Sequence, residues 1–561
     1  MSNAAAVKRN TTPPQSEQTS GEAAGQSKAS DGHLSSGKDP KFLCGVGLSV
    51  YQTSGCPNSN WSEFETSNYF DSRIQLRFSG GDLSALDPVT NSAKLQTVCE
   101  ADWEVGPPHI VTGDVLGEGN GFFWRTWKDD IKRAAELGCN SLRISIEWAL
   151  IEPKRGTYDH WAVQRYHDIF KEIIAQGMEP NVTLHWFVHP AWFEHIGAFL
   201  KEQNIAIFVD FAKFAFSEFR AYSKLWVTFN EPAVSSLCGF IAGNHPPGKF
   251  LQYRKAGTWL CNMLRAHADT YKAIRALPGG KEVEIGLVHN VFWTEPKYKG
   301  PFAAYIRGAV AFGNLTWGNE TVMNFLKKGW FHYWVPFRRH VKYQYPDGKP
   351  GCDFFGLNHY SRGVVNALLV PDKKGPGKIA DMGYQIYPPS IYRAVAYASE
   401  LGVPIYVTEN GIPSKKDDDS REEWINGYLT ELEEAVKDGF DVRGYMYWTL
   451  IDNYEWNFAF ELKFGLYSYD DDEAKTRHKR KGSEALTRWY KDMPERVGKL
   501  LAERRERGTP PVPASKRKGL CDKREAEFLR KLGLDHDQIT KMMPNNYDPV
   551  VAGTREGQEV H

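Results

Sequence analysis

One feature constrains this chain more than any other, an alternation of two periods. Short β-rich runs recur at Phe42–Ser49, Ser141–Ile146, Asn181–His185, Lys224–Phe229, Glu284–Val291, Asp353–Leu357, Pro404–Val407 and Val442–Trp448. Between them lie amphipathic stretches such as Trp124–Leu137, Trp161–Gln176, Ile207–Ala221 and Ser420–Lys437. Continuous apolar runs are strands buried on both faces, and a helical return after each requires a parallel sheet with helices outside. Eight such units fit an α/β chain folded as a (β/α)8 TIM barrel, a single catalytic domain with irregular N- and C-terminal tails. On periodicity alone a doubly wound parallel sheet fits as well.

The 561 residues carry 69 Lys+Arg against 69 Asp+Glu. A formal charge of zero gives no electrostatic footprint for nucleic acid, and 41% hydrophobic residues is an ordinary globular value. No run reaches the roughly 18 to 20 apolar residues of a spanning helix. No Gly-rich phosphate loop or His cluster is present, so no metal, nucleotide or flavin cofactor is expected. Aromatic residues reach 13%. They serve either a large core or a cleft lined by flat rings, and composition does not separate these two uses.

The ends read differently from the middle. Residues 1–40 are rich in Ser, Thr, Gly, Ala and Gln without an apolar segment, which predicts a disordered tail and no secretory signal. The eight cysteines form no C-x-x-C pair and read as thiols of a reducing compartment, so the expected location is cytoplasmic. The barrel domain is expected over 41–495, with 496–561 as a charged C-terminal extension. Within it, Lys499–Lys523 with Pro510, Pro511 and Pro513 reads as a linker or solvated helix ends, and a short amphipathic helix is expected around Lys523–Leu532.

In such barrels chemistry sits at the carboxyl ends of the strands. Two runs end in acids there, Thr228-Phe229-Asn230-Glu231-Pro232 and Val407-Thr408-Glu409-Asn410-Gly411. A lone glutamate at a strand end reads first as a helix cap. Two of them, each beside an Asn in one barrel, read as the carboxylate pair that glycosidic cleavage requires: one acid protonates the leaving oxygen while the other attacks the anomeric carbon or activates water.

These two motifs closely resemble the signatures of glycoside hydrolase family 1. The resemblance runs from about Lys41 to Asp492, through Tyr51-Gln52, Arg143-Ile144-Ser145-Ile146-Glu147-Trp148, Phe355-Gly356-Leu357-Asn358-His359-Tyr360, Gln385-Ile386-Tyr387-Pro388 and Trp448-Thr449-Leu450-Ile451-Asp452-Asn453-Tyr454-Glu455-Trp456. It implies a retaining β-glycosidase acting on small-molecule β-glucosides or related neutral β-glycosides. Glu231 is then similar to the general acid/base and Glu409 to the nucleophile, about 5–5.5 Å apart. Arg143 and Tyr360 would steady Glu409, and Asn230 would bind the sugar 2-OH. Gln52, Glu455 and Trp456 match positions that hold sugar hydroxyls, Trp448 the platform under the ring, and Phe464 the aromatic that closes the far side. Glu455 would also repel a 6-phosphate.

Some positions depart from the family pattern. The glycone-binding His expected four residues before Pro190 is Trp186, with His185 just before it. Either a local backbone shift lets His185 serve, or that contact is altered. Glu147, Ser54, His359 and the Met323–Trp330 region also diverge, and His359 is assigned no role. Hydrolysis and transglycosylation to a glycoside or glycolipid acceptor share this chemistry, and the sequence does not separate them. A non-catalytic carbohydrate-binding barrel would need a carboxylate missing, and both are present. The oligomeric state is not legible.

Overall fold

The structure is a computed structural model and describes residues 41–66, 123–296, 318–365, 378–415, 419–458, 461–468 and 477–542. The N-terminal tail expected over 1–40 lies outside them. Eight parallel strands close into a barrel: β1 (Leu43–Leu48), β2 (Ser141–Ser145), β3 (Glu179–His185), β4 (Leu225–Asn230), β5 (Glu284–Asn290), β6 (Phe354–Asn358), β7 (Ile405–Asn410) and β8 (Val442–Trp448). Neighbours in space are neighbours in this order, and β1 pairs with β8 to complete the ring, with Gly47 opposite Trp448. All eight apolar runs are therefore barrel strands, and closure rules out the doubly wound sheet.

The helical returns are α1 (Phe123–Glu136), α2 (His160–Ala175), α3 (Ile205–Phe219), α4 (Tyr253–Arg275), α5 (Asn319–Lys328), α6 (Pro389–Ala398), α7 (Ser420–Asp438) and α8 (Ser483–Tyr490). Local chemistry sets their ends. Asp159 caps α2 by accepting hydrogen bonds from the N–H groups of Trp161 and Ala162. Ser54, a departure from the family pattern, accepts from Trp124 N at 3.0 Å and so anchors the first turn of α1. Gly329, at φ 68°, stops α5 in the left-handed conformation.

The barrel interior is layered. Leu43, Leu225, Val227, Val288, Phe354 and Tyr406 form an apolar plug. Glycines make room where side chains crowd: a Cβ on Gly47 would come 3.1 Å from the Trp448 ring. Among the described residues no helix is long and apolar enough to cross a membrane, and the seven described cysteines are all unpaired.

The C-terminal stretch differs from the linker reading. Helix α9 (Met493–Glu506) crosses the boundary expected at 495, and α9 and α10 (Ala514–Lys531) together take in most of the region read as linker or solvated helix ends. Only the segment around the prolines is irregular. Helix α10 packs against α6 through Glu525, whose side chain is buried and accepts from Arg393 Nη2 at 2.6 Å and Tyr387 Oη at 2.5 Å. Arg362 lies 3.6 Å from the same carboxylate. The charge density of this helix is therefore partly internal pairing rather than solvation.

Candidate active site

The mouth of the barrel is assembled from strand ends. The chain leaves β4 at Glu231 in the left-handed region, φ 47° and ψ 58°, immediately before Pro232 opens a short helix. A non-glycine residue before proline is strained there. The backbone is held by the Glu231 N–H, which donates to the Val288 carbonyl at 2.9 Å. This turn directs the carboxyl out of the strand alternation and toward the pocket.

Glu409, at the end of β7, accepts from Arg143 Nη1 at 2.7 Å and from the Tyr360 hydroxyl at 2.6 Å. The other nitrogen of Arg143, Nη2, donates to Asn230 Oδ1 at 2.7 Å. Asn358 Nδ2 donates to Glu231 Oε1 at 2.7 Å and lies 3.2 Å from Asn230 Oδ1. Glu231 and Glu409 are thus the two ends of one hydrogen-bonded chain running Glu231, Asn358, Asn230, Arg143, Glu409. Five of the residues singled out in the sequence meet here: Glu231, Glu409, Arg143, Asn230 and Tyr360.

The electrostatics follow from burial and like charge. Burial, then the Glu409 charge, push the Glu231 carboxyl up to about 8, against the opposing pull of Asn358 and Arg143. Burial lowers the Arg143 guanidinium, and Glu409 counters that. Burial and the neighbouring acids, Glu409 first, raise the Tyr360 phenol well above its ordinary value, so it remains a donor.

A second group surrounds this pair. Gln52 Nε2 donates to the Tyr454 carbonyl at 2.9 Å and reaches Glu455 Oε2 at 3.5 Å. Burial, then Glu409, raise the Glu455 carboxyl to about 8, while Trp448 and Gln52 oppose the shift. Trp456 lies in an aromatic nest, stacked on Tyr51 at 6.2 Å and against Trp61 at 4.6 Å and Phe187 at 5.1 Å. Phe464 meets the Tyr360 ring edge-on at 6.0 Å.

His185 is not brought to the pocket, which corrects its place among the candidate glycone residues. Its ring packs among Phe199, Phe208 and Phe229, with Phe208 from helix α3, and pairs with His189 at 3.2 Å. Burial keeps it well below its usual protonation range. Trp186 instead lies against the catalytic-network Arg143, whose guanidinium carbon is 3.9 Å from its ring centre, and 5.5 Å from the Trp448 ring. Asn358 was quoted in the sequence only within a motif and given no role, and Trp186 was weighed there only as an altered contact. The signal for Asn358 was a polar residue ending the otherwise apolar run Phe354–Asn358. His359 is an ordinary packed residue, bonded to the Val291 carbonyl at 2.7 Å and to Ser390 Oγ at 2.9 Å.

Residues 106–331 and 348–499 match the model of glycosyl hydrolase family 1. The chain belongs to glycosyl hydrolase family 1. Among similar proteins is beta-glucosidase 26, peroxisomal, of Arabidopsis thaliana, 27% identical over 65% of this chain and 74% of the relative. A 6-phospho-beta-galactosidase of Staphylococcus haemolyticus is 29% identical over 66% of this chain and 88% of that protein. The solved beta-glycosidase from Pyrococcus horikoshii superposes with a TM-score of 0.64 at 25% identity, covering 89% of this chain and all of that one. The chain is thus an O-glycosyl hydrolase, β-glucosidase-like, on a (β/α)8 barrel. The family match stops at residue 499, before helix α10.

Proposed function

We propose that this family 1 glycosidase hydrolyses terminal β-D-glucosides or related neutral β-glycosides with retention, through a covalent glycosyl-enzyme. The observation that carries this reading is the single hydrogen-bonded chain that ends in Glu231 on one side and Glu409 on the other. Glu409, fixed by Arg143 and Tyr360, attacks the anomeric carbon. Glu231, buried and raised to about 8, holds the proton that the leaving oxygen needs. As the glycosyl ester forms and Glu409 loses its negative charge, the main like-charge pressure on Glu231 is relieved. It then ionises more readily and serves as the base that activates water. Asn230, held by Arg143, is placed to bind the sugar 2-OH, where contacts strengthen in the transition state.

The remaining assignments follow the family resemblance. Trp448 is the platform under the ring, while Gln52, Glu455 and Trp456 hold hydroxyls and Phe464 closes the far side. Among the described residues, none of the groups that shift Glu455 is a cation, so a neutral glycone suits it better than a 6-phosphate. The catalytic unit is taken from 41 through helix α9, past the boundary expected at 495, with the remaining residues appended, and the unpaired thiols of the described residues favour a cytoplasmic location. The peroxisomal relative makes organelle import the alternative, decided by fractionation of cells.

Incubation with an activated 2-deoxy-2-fluoro β-glucoside tests the reading. The expected result is a mass increment of one sugar on Glu409. No adduct together with no hydrolysis of aryl β-glycosides overturns it. Product analysis with an added alcohol measures how much of the glycosyl-enzyme goes to transfer.

A further inference from the structure

Three alternate residues leaving β6 meet three different partners. Asn358 donates to Glu231, the Tyr360 hydroxyl donates to Glu409, and Arg362 lies 3.6 Å from Glu525 of helix α10. Glu525 holds the same segment by a second route. It accepts from the Tyr387 hydroxyl at 2.5 Å. The Tyr387 ring lies 3.5 Å from the guanidinium carbon of Arg362 and meets Phe528 of α10 edge-on at 5.1 Å. The Tyr387 carbonyl accepts from Ser390 Oγ at 2.7 Å, and Ser390 Oγ meets His359 Nε2 at 2.9 Å. His359 and Arg362, which bracket Tyr360, are therefore both tied to Glu525, the first through Tyr387 and Ser390 and the second directly. Ser361 Oγ adds a bond to the Gln385 carbonyl at 2.5 Å. The helix that supplies Glu525 and Phe528 lies beyond residue 499, where the family match ends.

We propose that Glu525 is a positioning residue for the nucleophile: helix α10 fixes the segment from His359 to Arg362 so that the Tyr360 hydroxyl stays on Glu409. This deepens the β-glycosidase reading and rests on it. Tyr360 reaches Glu409 through one hydrogen bond of 2.6 Å, and such a bond weakens steeply once its alignment is lost. The side chains behind it, those of His359, Ser361, Arg362, Tyr387, Ser390 and Glu525, are all buried. A shift in one of them is passed to close-packed neighbours instead of being absorbed by solvent. The described partners of Glu525 are Arg393, Tyr387 and Arg362, so it acts on Glu409 only through the segment that carries Tyr360. When that segment loosens, Arg143 is the remaining hold on Glu409, and the attacking oxygen loses the alignment that in-line attack requires.

The test is a double-mutant cycle on the full chain between Glu525 and Tyr360, because only a coupling measurement separates transmission from mere proximity. The substrate is nitrophenyl β-glucoside or β-galactoside, whichever the wild type turns over faster. Active sites are counted with the matching 2-deoxy-2-fluoro glycoside, so that only folded enzyme is compared. Glu525→Gln keeps the size of the side chain and removes its charge. It should lower kcat/KM by about tenfold in the wild type, the scale of one aligned hydrogen bond. In Tyr360→Phe, which has already lost the hydroxyl, the same substitution should cost less than about twofold. An equal or larger loss in that background describes a helix that only stabilises the fold and overturns the proposal, and so does no loss in the wild type. Phe528→Ala is the second variant, to be read if Glu525→Gln does not fold. It leaves every charge in place and removes the ring against Tyr387, and it should show the same dependence on the Tyr360 hydroxyl, with equal losses overturning the proposal again. A wild type that turns over neither glycoside sinks the β-glycosidase reading and the proposal with it, whereas an active wild type with equal losses sinks the proposal alone.

Discussion

The amide of Asn358 and the carboxyl of Glu231 meet at 2.7 Å, with the amide N–H donating to Oε1. This bond favours the ionised form of a group that burial and Glu409 hold near 8. Asn358 therefore sets an upper limit on how tightly the acid keeps its proton. Its other amide atom, Oδ1, accepts from the Thr408 hydroxyl at 2.7 Å, which fixes the amide's orientation.

Activity should fall on the alkaline side as pH rises through the Glu231 value of about 8, because the deprotonated acid cannot protonate the leaving oxygen. In Asn358→Leu the donor is gone, so the alkaline limb of kcat/KM should move to higher pH. A limb that moves down, or stays, contradicts the role given to Asn358.

Removing each carboxylate should have a different signature. Glu409→Ala should abolish turnover on every substrate. Glu231→Ala should cost roughly 10²- to 10⁴-fold on substrates with poor leaving groups but leave the first step with dinitrophenyl glycosides nearly intact. Stopped-flow measurement of the released phenol separates the cases, and equal losses for both variants would refute the division of labour.

A 6-phosphate should be rejected. Among the described residues the groups that act on Glu455 are Glu409, Trp448 and Gln52, so they offer a buried phosphate an acid and no counter-charge. Nitrophenyl 6-phospho-β-galactoside should show kcat/KM at least about 100-fold below that of neutral nitrophenyl glycosides, a ratio worth about 2.7 kcal/mol. Comparable rates would remove Glu455 from the hydroxyl-binding set.

The C-terminal helix should matter to stability. Glu525→Ala removes one buried carboxylate partner from Arg393 and Arg362 and should lower stability in denaturant unfolding by about 1–3 kcal/mol. Burial alone would raise the Glu525 carboxyl, but Arg393 and Arg362 outweigh it and hold it below the ordinary range. Its contribution is therefore present above the unfolded carboxyl value and lost as pH falls through the folded one.

Glu147 should act with the opposite sign. It is buried and raised to about 7, although Ser145 Oγ at 2.7 Å and the Tyr51 N–H at 3.1 Å donate to it. The folded state keeps this proton while the unfolded chain releases it above about 4.5. Stability should thus be greatest below about 4.5 and decline as pH rises to about 7. In Glu147→Gln the thermal midpoint should vary less over that window, and an unchanged slope would exclude Glu147 as its source.

The parallel sheet with outer helices was legible in the sequence because the strands are short, apolar-rich runs buried on both faces, while closure into a barrel rather than a doubly wound sheet was not carried by that period alone. The catalytic pair was legible because polar groups at the ends of such runs have few other uses. His185 and Trp186 were not. Counting back from Pro190 assumes a regular strand, and the backbone abandons regularity at Phe187, where φ is 65°. Which of two adjacent side chains meets Arg143 is then decided by a local turn rather than by spacing. The docking of α10 was hidden for another reason. Glu525 looks solvated among Lys and Arg neighbours, and its partners Arg362 and Arg393 lie more than a hundred residues earlier.

A Cβ on Gly47 would come 3.1 Å from the Trp448 ring, so the ring would have to give by a few tenths of an ångström. On the proposed assignment of Trp448 as the sugar platform, the height of that surface is therefore sensitive to a missing methyl group on another strand. Enlarging residue 47 would tilt or lift that surface from beneath, leaving every group that touches the ligand chemically unchanged. Glycone selectivity in this barrel can thus be retuned from its back wall.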